Sequence, residues 1–382
     1  MGKMIIDSNN TLADNRRIEL EKYIGTSVYE LPTPSLIVEL DCMEHNLKAM
    51  QRIIMENKVA LRPSIKTHKS IQMAKKQLEF GASGIGCSTL KEVEAMASED
   101  IKDIWLSNTI VTVDKINKAA SLVKQYIDIR FTFSIDNINV VTLFNDAAKE
   151  YNICFNMMLD IDTGMGRCGV RKTEDAVKLA KAIEIAGNLK FVGISGYNSK
   201  DCFYPTHKER EEKSKETYEI IERFYKEITN AGIEISVVSA GGSGDFDIVS
   251  KHPLINEIQA GTYIYFDYKH IEKVQDLPFK QSIKVLSTVI STPEEKIFIL
   301  DAGWKAITME FGTPRIEGKE SLELIAMGAE HLKGITETDK MPKLGEKMFL
   351  LPKHACTTNN LYSHVYGVRN GIVEEIIMID AK

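Results

Sequence analysis

The stretch Leu61-Arg-Pro-Ser-Ile-Lys-Thr-His-Lys69 decides the reading of this chain. An apolar run from Val59 leads into it, and a helix-patterned stretch from Ile71 to Phe80 leads out. Lys66 therefore falls at the exit of a strand, where a side chain faces a shared pocket instead of a packed core. Burial there disfavours the ammonium form and makes the side chain an amine nucleophile near neutral pH. A surface lysine snorkelling beside His68 and Lys69 has the same local pattern, so the choice rests on the surroundings.

Working outward, short apolar runs at 36–40, 59–65, 84–87, 104–107, 129–135, 155–161, 191–195, 235–240 and 255–260 alternate with amphipathic segments such as 173–186 and 208–231. This alternation predicts parallel strands joined by right-handed crossovers. There are nine runs, one more than a closed eight-stranded barrel needs, which leaves the first for another layer. Lys66, Asn108, Asp136, residues 162–167, Tyr197, residues 241–244 and residues 259–262 all lie at or just past the end of a run. In a (β/α)8 TIM barrel those ends share one face, and active sites of that fold sit there. A doubly wound open sheet is the alternative, but it would not gather every end in one place.

After about Asp276 the helical alternation stops. Runs at 282–290, 296–301, 347–351 and 365–379, with turn signals at Ser291-Thr-Pro293 and Arg369-Asn-Gly371, predict an antiparallel β domain. The expected plan is an N-terminal arm over 1–30 packing on the β domain, a barrel over 31–275 and a C-terminal β domain over 276–382. A length of 382 residues fits two domains. Apolar content of 43% with 27% charged residues is that of a globular protein, and a net charge of -6 without a basic run argues against nucleic acid. No apolar stretch reaches membrane-spanning length, and the first residues are too polar for a signal peptide. Six scattered cysteines without a C-x-x-C pair suggest reduced thiols in the cytoplasm.

Ala240-Gly-Gly-Ser-Gly244 follows the run at 235–240. Glycines let backbone N–H groups approach a phosphate, and Ser243 adds a hydroxyl. Gln259-Ala-Gly-Thr-Tyr263 ends the next strand and completes the same cradle. A lysine on the first barrel strand facing a phosphate site suggests pyridoxal phosphate. Asp160-Ile-Asp-Thr-Gly-Met-Gly-Arg167 supplies a fixed cation, Arg167, suited to a phenolate or carboxylate. His354 and Cys356, two residues apart, would point to the same side of an extended strand, and imidazole with thiolate suits Zn²⁺.

Together these motifs resemble the alanine-racemase-type pyridoxal phosphate enzymes, and more closely the D-serine dehydratase and D-threonine aldolase family. The resemblance runs from about Pro32 to Ile379 and includes Asp301-Ala-Gly303 and Pro352-Lys-His-Ala-Cys-Thr-Thr358. It implies a barrel plus β domain, a homodimer and small D-amino-acid substrates. It further implies Lys66 as the Schiff-base lysine, Arg167 at the cofactor phenolate and Tyr197 near the ring. Gly242, Ser243, Gly244, Gly261 and Thr262 are expected at the phosphate, with a divalent metal, Zn ahead of Mn or Mg, on His354 and Cys356. The implied activity is a lyase reaction on β-hydroxy D-amino acids, either dehydration to keto acid and ammonia or cleavage to glycine and aldehyde. An amino-acid racemase and a non-catalytic pyridoxal phosphate carrier are the alternatives. The chain departs from the family in placing Gln259 where racemases carry an arginine near the pyridine nitrogen. A neutral partner there leaves that nitrogen unprotonated. Ser64 and Asn198 also stand where other members carry different residues.

Overall fold

The computed structural model describes residues 18–200 and 202–382. Residues 1–17, the first part of the expected arm, lie outside the described residues. Chain contacts define two units: one joins residues 18–43 to Gln281–Ile379, the other joins Glu44–Lys280 to Asp380–Lys382.

The first apolar run forms β1 (Ser35–Glu39), which belongs to the antiparallel unit. The next eight runs form the parallel strands β2 (Ala60–Leu61), β3 (Ile85–Cys87), β4 (Asp103–Leu106), β5 (Arg130–Ile135), β6 (Phe155–Asp160), β7 (Leu189–Gly196), β8 (Val237–Ala240) and β9 (Glu257–Ile258). Their order is β2-β9-β8-β7-β6-β5-β4-β3. Ser83 N–H to Leu61 O (2.8 Å), Gly86 N–H to Pro63 O (2.9 Å) and a Ser64–Gly86 bridge join the two ends. The sheet is a (β/α)8 barrel.

Helices start where short polar side chains take up orphan N–H groups. Ser70 caps Ile71–Glu79, Thr89 caps Leu90–Ser98, and Thr206 forms a capping box with Glu209 at the start of His207–Asn230. Trp105, Met158 and Val192 pack together across β5, on the inner face of the curved sheet. Arg62 spans the same interior. Its Nε donates to the buried Glu257 at 2.8 Å and its Nη1 to the part-buried Asp103 at 2.8 Å.

The antiparallel unit continues with β10 (Ile283–Glu294), β11 (Ile297–Leu300), β12 (Arg315–Ile316), β13 (Leu322–Met327), β14 (Leu332–Thr336), β15 (Lys347–Leu351), β16 (His364–Arg369) and β17 (Ile372–Met378). The sheet runs β13-β14-β11-β10-β1-β16-β17, with β15 beside β10 and β12. β1 lies antiparallel to β10 and parallel to β16. Residues 25–31 join this unit: Gly25 N–H donates to Val373 O, Val28 N–H to Gly371 O, and Val28 and Leu31 are buried against Val373 and Ile376.

Two turn signals fared differently. Arg369-Asn-Gly371 makes the β16–β17 hairpin with Asn370 at φ 52 and Gly371 at φ 76, the left-handed pair such turns require. Ser291-Thr-Pro293 is not a turn. β10 runs through it, and the chain reverses at Glu295–Lys296, where Lys296 takes φ 66. Among the described residues no helix is long and apolar enough to cross a membrane.

Candidate active site

Past β2 the backbone tightens into a single 3-10 turn, Ile65–Thr67, with Lys66 at its centre. Ile65, Thr67 and His68 are fully buried, which pins the turn on both sides of the lysine. Lys66 itself is exposed, so the burial expected of it is not supplied by the protein alone. The strand expected over 59–65 is regular only at Ala60–Leu61, but Arg62 N–H to Ile258 O (2.9 Å) and Ser64 N–H to Ala260 O (3.3 Å) carry the pairing on past Pro63. Lys69, at φ 50, reverses the chain, and Ala381 N–H donates to its carbonyl at 3.0 Å.

Two of the expected residues converge on the aromatic ring of a third. Lys66 Nζ lies 5.9 Å from the centroid of Tyr197, and Arg167 Cζ lies 5.6 Å from the same centroid. Tyr197 directly follows β7, and burial, with Cys202 and Asp245 adding, pushes its phenol well above the ordinary range.

Arg167 is held by a loop that Asp162 organises. Asp162 Oδ1 accepts from Gly164 N–H (3.1 Å) and Gly166 N–H (3.0 Å), and its Oδ2 accepts from Arg171 Nε (3.1 Å). Gly169 N–H donates to Asp136 Oδ2, and at φ 104 a Cβ on Gly169 would lie 2.5 Å from backbone atoms of Ile161 and Asp162. Asp160 ends β6 beneath this loop. Burial pushes its carboxyl up to about 7, with Arg167 opposing and Asp136 and Asp162 adding to the rise.

The loops 241–244 and 259–262 meet where Tyr263 N–H donates to Ser243 Oγ. The N–H groups of Ser243, Gly244, Gly261 and Thr262 donate to no acceptor among the described residues. Ser243 Oγ accepts from Tyr263 N–H at 2.8 Å, which leaves its own proton to donate outward. Gly242 is different: its N–H is taken by Asp245 Oδ1 at 2.7 Å, so it contributes room, not a donor. A Cβ on Gly261 would stand 2.7 Å from Ser64 O, so the lysine turn and the second loop touch through backbone. The set of uncommitted donors, the exposed amine of Lys66 and the guanidinium of Arg167 fit a phosphorylated aldehyde. A buried chain braces both parts. Ser70 N–H donates to His68 Nδ1 (3.1 Å), which leaves the ring proton on Nε2 facing Gln77 Oε1 (3.1 Å), and Gln77 Nε2 donates to Tyr263 OH (3.1 Å).

Gln259 Nε2 donates to Ser195 Oγ at 3.1 Å. Asn198 is committed within the fold, donating to Thr163 O (3.0 Å) and Thr217 Oγ1 (2.9 Å). Ser64 passes its N–H to Ala260 O and bridges to Gly86.

His354 and Cys356 lie in the antiparallel unit, but not on a strand. His354 is the N-cap of a short helix, Ala355–Asn359, and Cys356 is in its first turn, so the same-side argument from an extended strand does not hold. Thr358 N–H closes that turn on His354 O. His354 Nδ1 meets Oε2 of Glu310 at 2.5 Å, and no motif marks Glu310 in advance. An imidazole whose Nδ1 is held by a carboxylate offers Nε2 to a metal, so this pair fits one. Among the described residues no group of three or more His, Cys, Asp or Glu is assembled as a metal cluster.

The model of "Alanine racemase, N-terminal domain" matches residues 38–269. The chain belongs to the alanine-racemase-type pyridoxal phosphate enzymes. A second model, "Putative serine dehydratase domain", matches residues 282–368 of this alanine-racemase-type chain. A D-threonine aldolase from Arthrobacter sp is 31% identical, with 94% of each chain covered. A 3-hydroxy-D-aspartate aldolase from Paracoccus denitrificans (strain Pd 1222) is 29% identical, again with 94% of each covered. The crystal structure of D-threonine aldolase from Filomicrobium marinum superposes with a TM-score of 0.90 at 27% identity, covering 94% of this chain and 97% of that one. The resemblance read from the motifs is borne out.

Proposed function

We propose that this chain is a pyridoxal phosphate-dependent lyase that cleaves β-hydroxy D-amino acids such as D-threonine and 3-hydroxy-D-aspartate to glycine and an aldehyde. The observation that carries the reading is the convergence of Lys66 and Arg167 on Tyr197, with four uncommitted N–H groups on the two neighbouring loop ends. The aldolase relatives reported above support the substrate class.

Pyridoxal phosphate supplies an aldehyde for the substrate amine and a conjugated ring that takes up electrons from a bond at Cα. Ser243, Gly244, Gly261 and Thr262 would bind its phosphate, Gly242 would make room beside Tyr197, and Gln259 would face the ring nitrogen. Lys66 Nζ would bind the aldehyde at rest and afterwards hold or move the proton at Cα. Arg167 would place a fixed positive charge beside the phenolate. Tyr197, protonated because its phenol is buried, would flank the ring and donate rather than accept.

His354 and Cys356 would hold a divalent metal, Zn²⁺ ahead of Mn²⁺ or Mg²⁺, with Glu310 orienting His354. Such an ion would supply a Lewis acid for a hydroxyl oxygen. Dehydration to keto acid and ammonia is the second reading, favoured by the dehydratase-type match over residues 282–368. The proposal includes a homodimer, as the family resemblance implies, and a cytoplasmic location, supported by six free cysteines.

Incubation of the purified, metal-loaded protein with D-threonine, D-serine and 3-hydroxy-D-aspartate tests the reading. Glycine and an aldehyde are expected. Keto acid and ammonia would select the second reading, and racemised substrate alone would end both.

A further inference from the structure

Three consecutive residues in the loop after β6 accept hydrogen bonds from the three residues that follow Tyr197. Asn198 Nδ2 donates to Thr163 O at 3.0 Å, and Lys200 Nζ donates to Gly164 O at 2.7 Å. Ser199 reaches the Met165 thioether twice, from its N–H at 3.4 Å and from its Oγ at 3.6 Å. Asn198 also fixes its own loop, because its Oδ1 accepts from Lys200 N–H at 2.9 Å. Tyr197 stands directly before this clasp on one loop, and Arg167 stands two residues after it on the other. Arg167 Cζ lies 5.6 Å from the Tyr197 ring centroid.

Two of the three links end on backbone carbonyls, which any residues at 163 and 164 would offer. The third needs a particular side chain. A thioether is a weak acceptor, and the unbranched methionine chain lets its sulfur reach across from one loop to the other. Gly164 and Gly166, at φ 106 and φ 68, flank Met165, so its neighbours bring no side chains to hold the backbone. Asp162 takes the N–H groups of both glycines and shapes the loop, and the Ser199–Met165 bonds tie that shape to the strand end that carries Tyr197. We propose that Met165 and Ser199, with Asn198 and Lys200, are positioning residues that hold Arg167 at a set distance from Tyr197 and so keep its guanidinium beside the cofactor phenolate. The proposal rests on reading the site as a pyridoxal phosphate site.

The consequence is electrostatic. The effect of a guanidinium on a neighbouring charge falls with distance, so a loop free to swing would blunt it. A cation held beside the phenolate disfavours a second positive charge on the lysine–cofactor linkage and lowers the proton affinity of that linkage. Loosening the clasp therefore raises the pH at which the linkage loses its proton.

The test follows the absorbance of the lysine-bound cofactor in holoprotein against pH. Met165→Leu keeps the volume but deletes the acceptor, and should raise the midpoint by about half a unit. Met165→Gln, whose amide oxygen can accept from Ser199, should bring the midpoint back toward the wild-type value. Arg167→Met should move it further in the same direction. Met165→Leu added to Arg167→Met should then move it no more, because the clasp acts through that arginine. An unchanged midpoint in Met165→Leu, or shifts that add in the double variant, overturns the proposal. Hydrogen exchange at the Ser199 amide of the protein without cofactor reads the clasp separately, and should be faster in Met165→Leu than in the wild type. Equal exchange rates overturn the clasp itself. Should the protein take up no pyridoxal phosphate, the functional reading fails, while the exchange rates still decide the clasp.

Discussion

His68 and Gln77 share a buried hydrogen bond, Nε2 to Oε1, 3.1 Å long. The bond matters because His68 sits two residues from Lys66 and Gln77 passes the connection on to Tyr263, whose N–H donates to Ser243. Burial, the largest influence, brings the His68 imidazole down to about 4. An unfolded histidine binds its proton near 6.5. Between these values the unfolded chain takes up a proton that the folded chain refuses. Stability is therefore full above about 6.5 and is lost as pH falls through 4, by on the order of 3 kcal/mol. Thermal melts across this range should show that slope in the wild-type protein and a flatter profile in His68→Gln. Equal slopes would show that another group is responsible.

Lys66→Ala should abolish the adduct that borohydride fixes between the chain and pyridoxal phosphate, and reduce activity by about 10³-fold or more. Lys66→Arg should do the same, since it keeps the charge near Tyr197 but offers no nucleophile. Peptide mass spectrometry after reduction is the measurement. An adduct on any other lysine of the wild-type protein contradicts the assignment.

Glu310→Gln should keep His354 in place but weaken its orientation, costing about 10–100-fold in metal affinity. His354→Ala and Cys356→Ser should each cost more, because they delete a donor. Metal content after dialysis against a chelator of known strength gives the ranking. Unchanged retention in all three variants excludes this metal site.

Arg62→Met should destabilise the barrel by about 3 kcal/mol, because the buried Glu257 would remain charged without its cation, whereas the part-exposed Asp103 keeps Arg130 at 3.7 Å. Adding Glu257→Gln and Asp103→Asn should recover a large part of that loss. Urea unfolding of the single and triple variants checks the order, and a triple variant weaker than the single would refute it.

The barrel and its rim were legible because one-dimensional signals place them: alternating runs locate the strands, and glycine or proline marks their exits. Lys66, Arg167, Tyr197, Ser243 and Thr262 all follow such exits. What the pattern missed is tertiary. Lys66 was expected in a buried site, but a 3-10 turn with buried neighbours lifts it into the open. β12, β13 and β14 were missed because 315–336 alternates short apolar positions with Lys, Glu and Gly, as turns do. The residues from Ala355 look extended because threonine is β-branched, yet local bonds such as Thr358 N–H to His354 O wind them into a helix. The Gln259–Ser195 bond joins the ends of two strands far apart in sequence, and no single segment carries that information.

Leu36 pairs with Val285 and Ile37 with Tyr366, so the whole barrel is spliced into the middle of the antiparallel unit. As the chain leaves the ribosome, β1 emerges first and has to remain without its sheet partners while every barrel residue is made. Such long-range pairing is slow and leaves an apolar strand open to wrong neighbours in the interval. The half-finished polypeptide, rather than the mature enzyme, is therefore the form most in need of a chaperone.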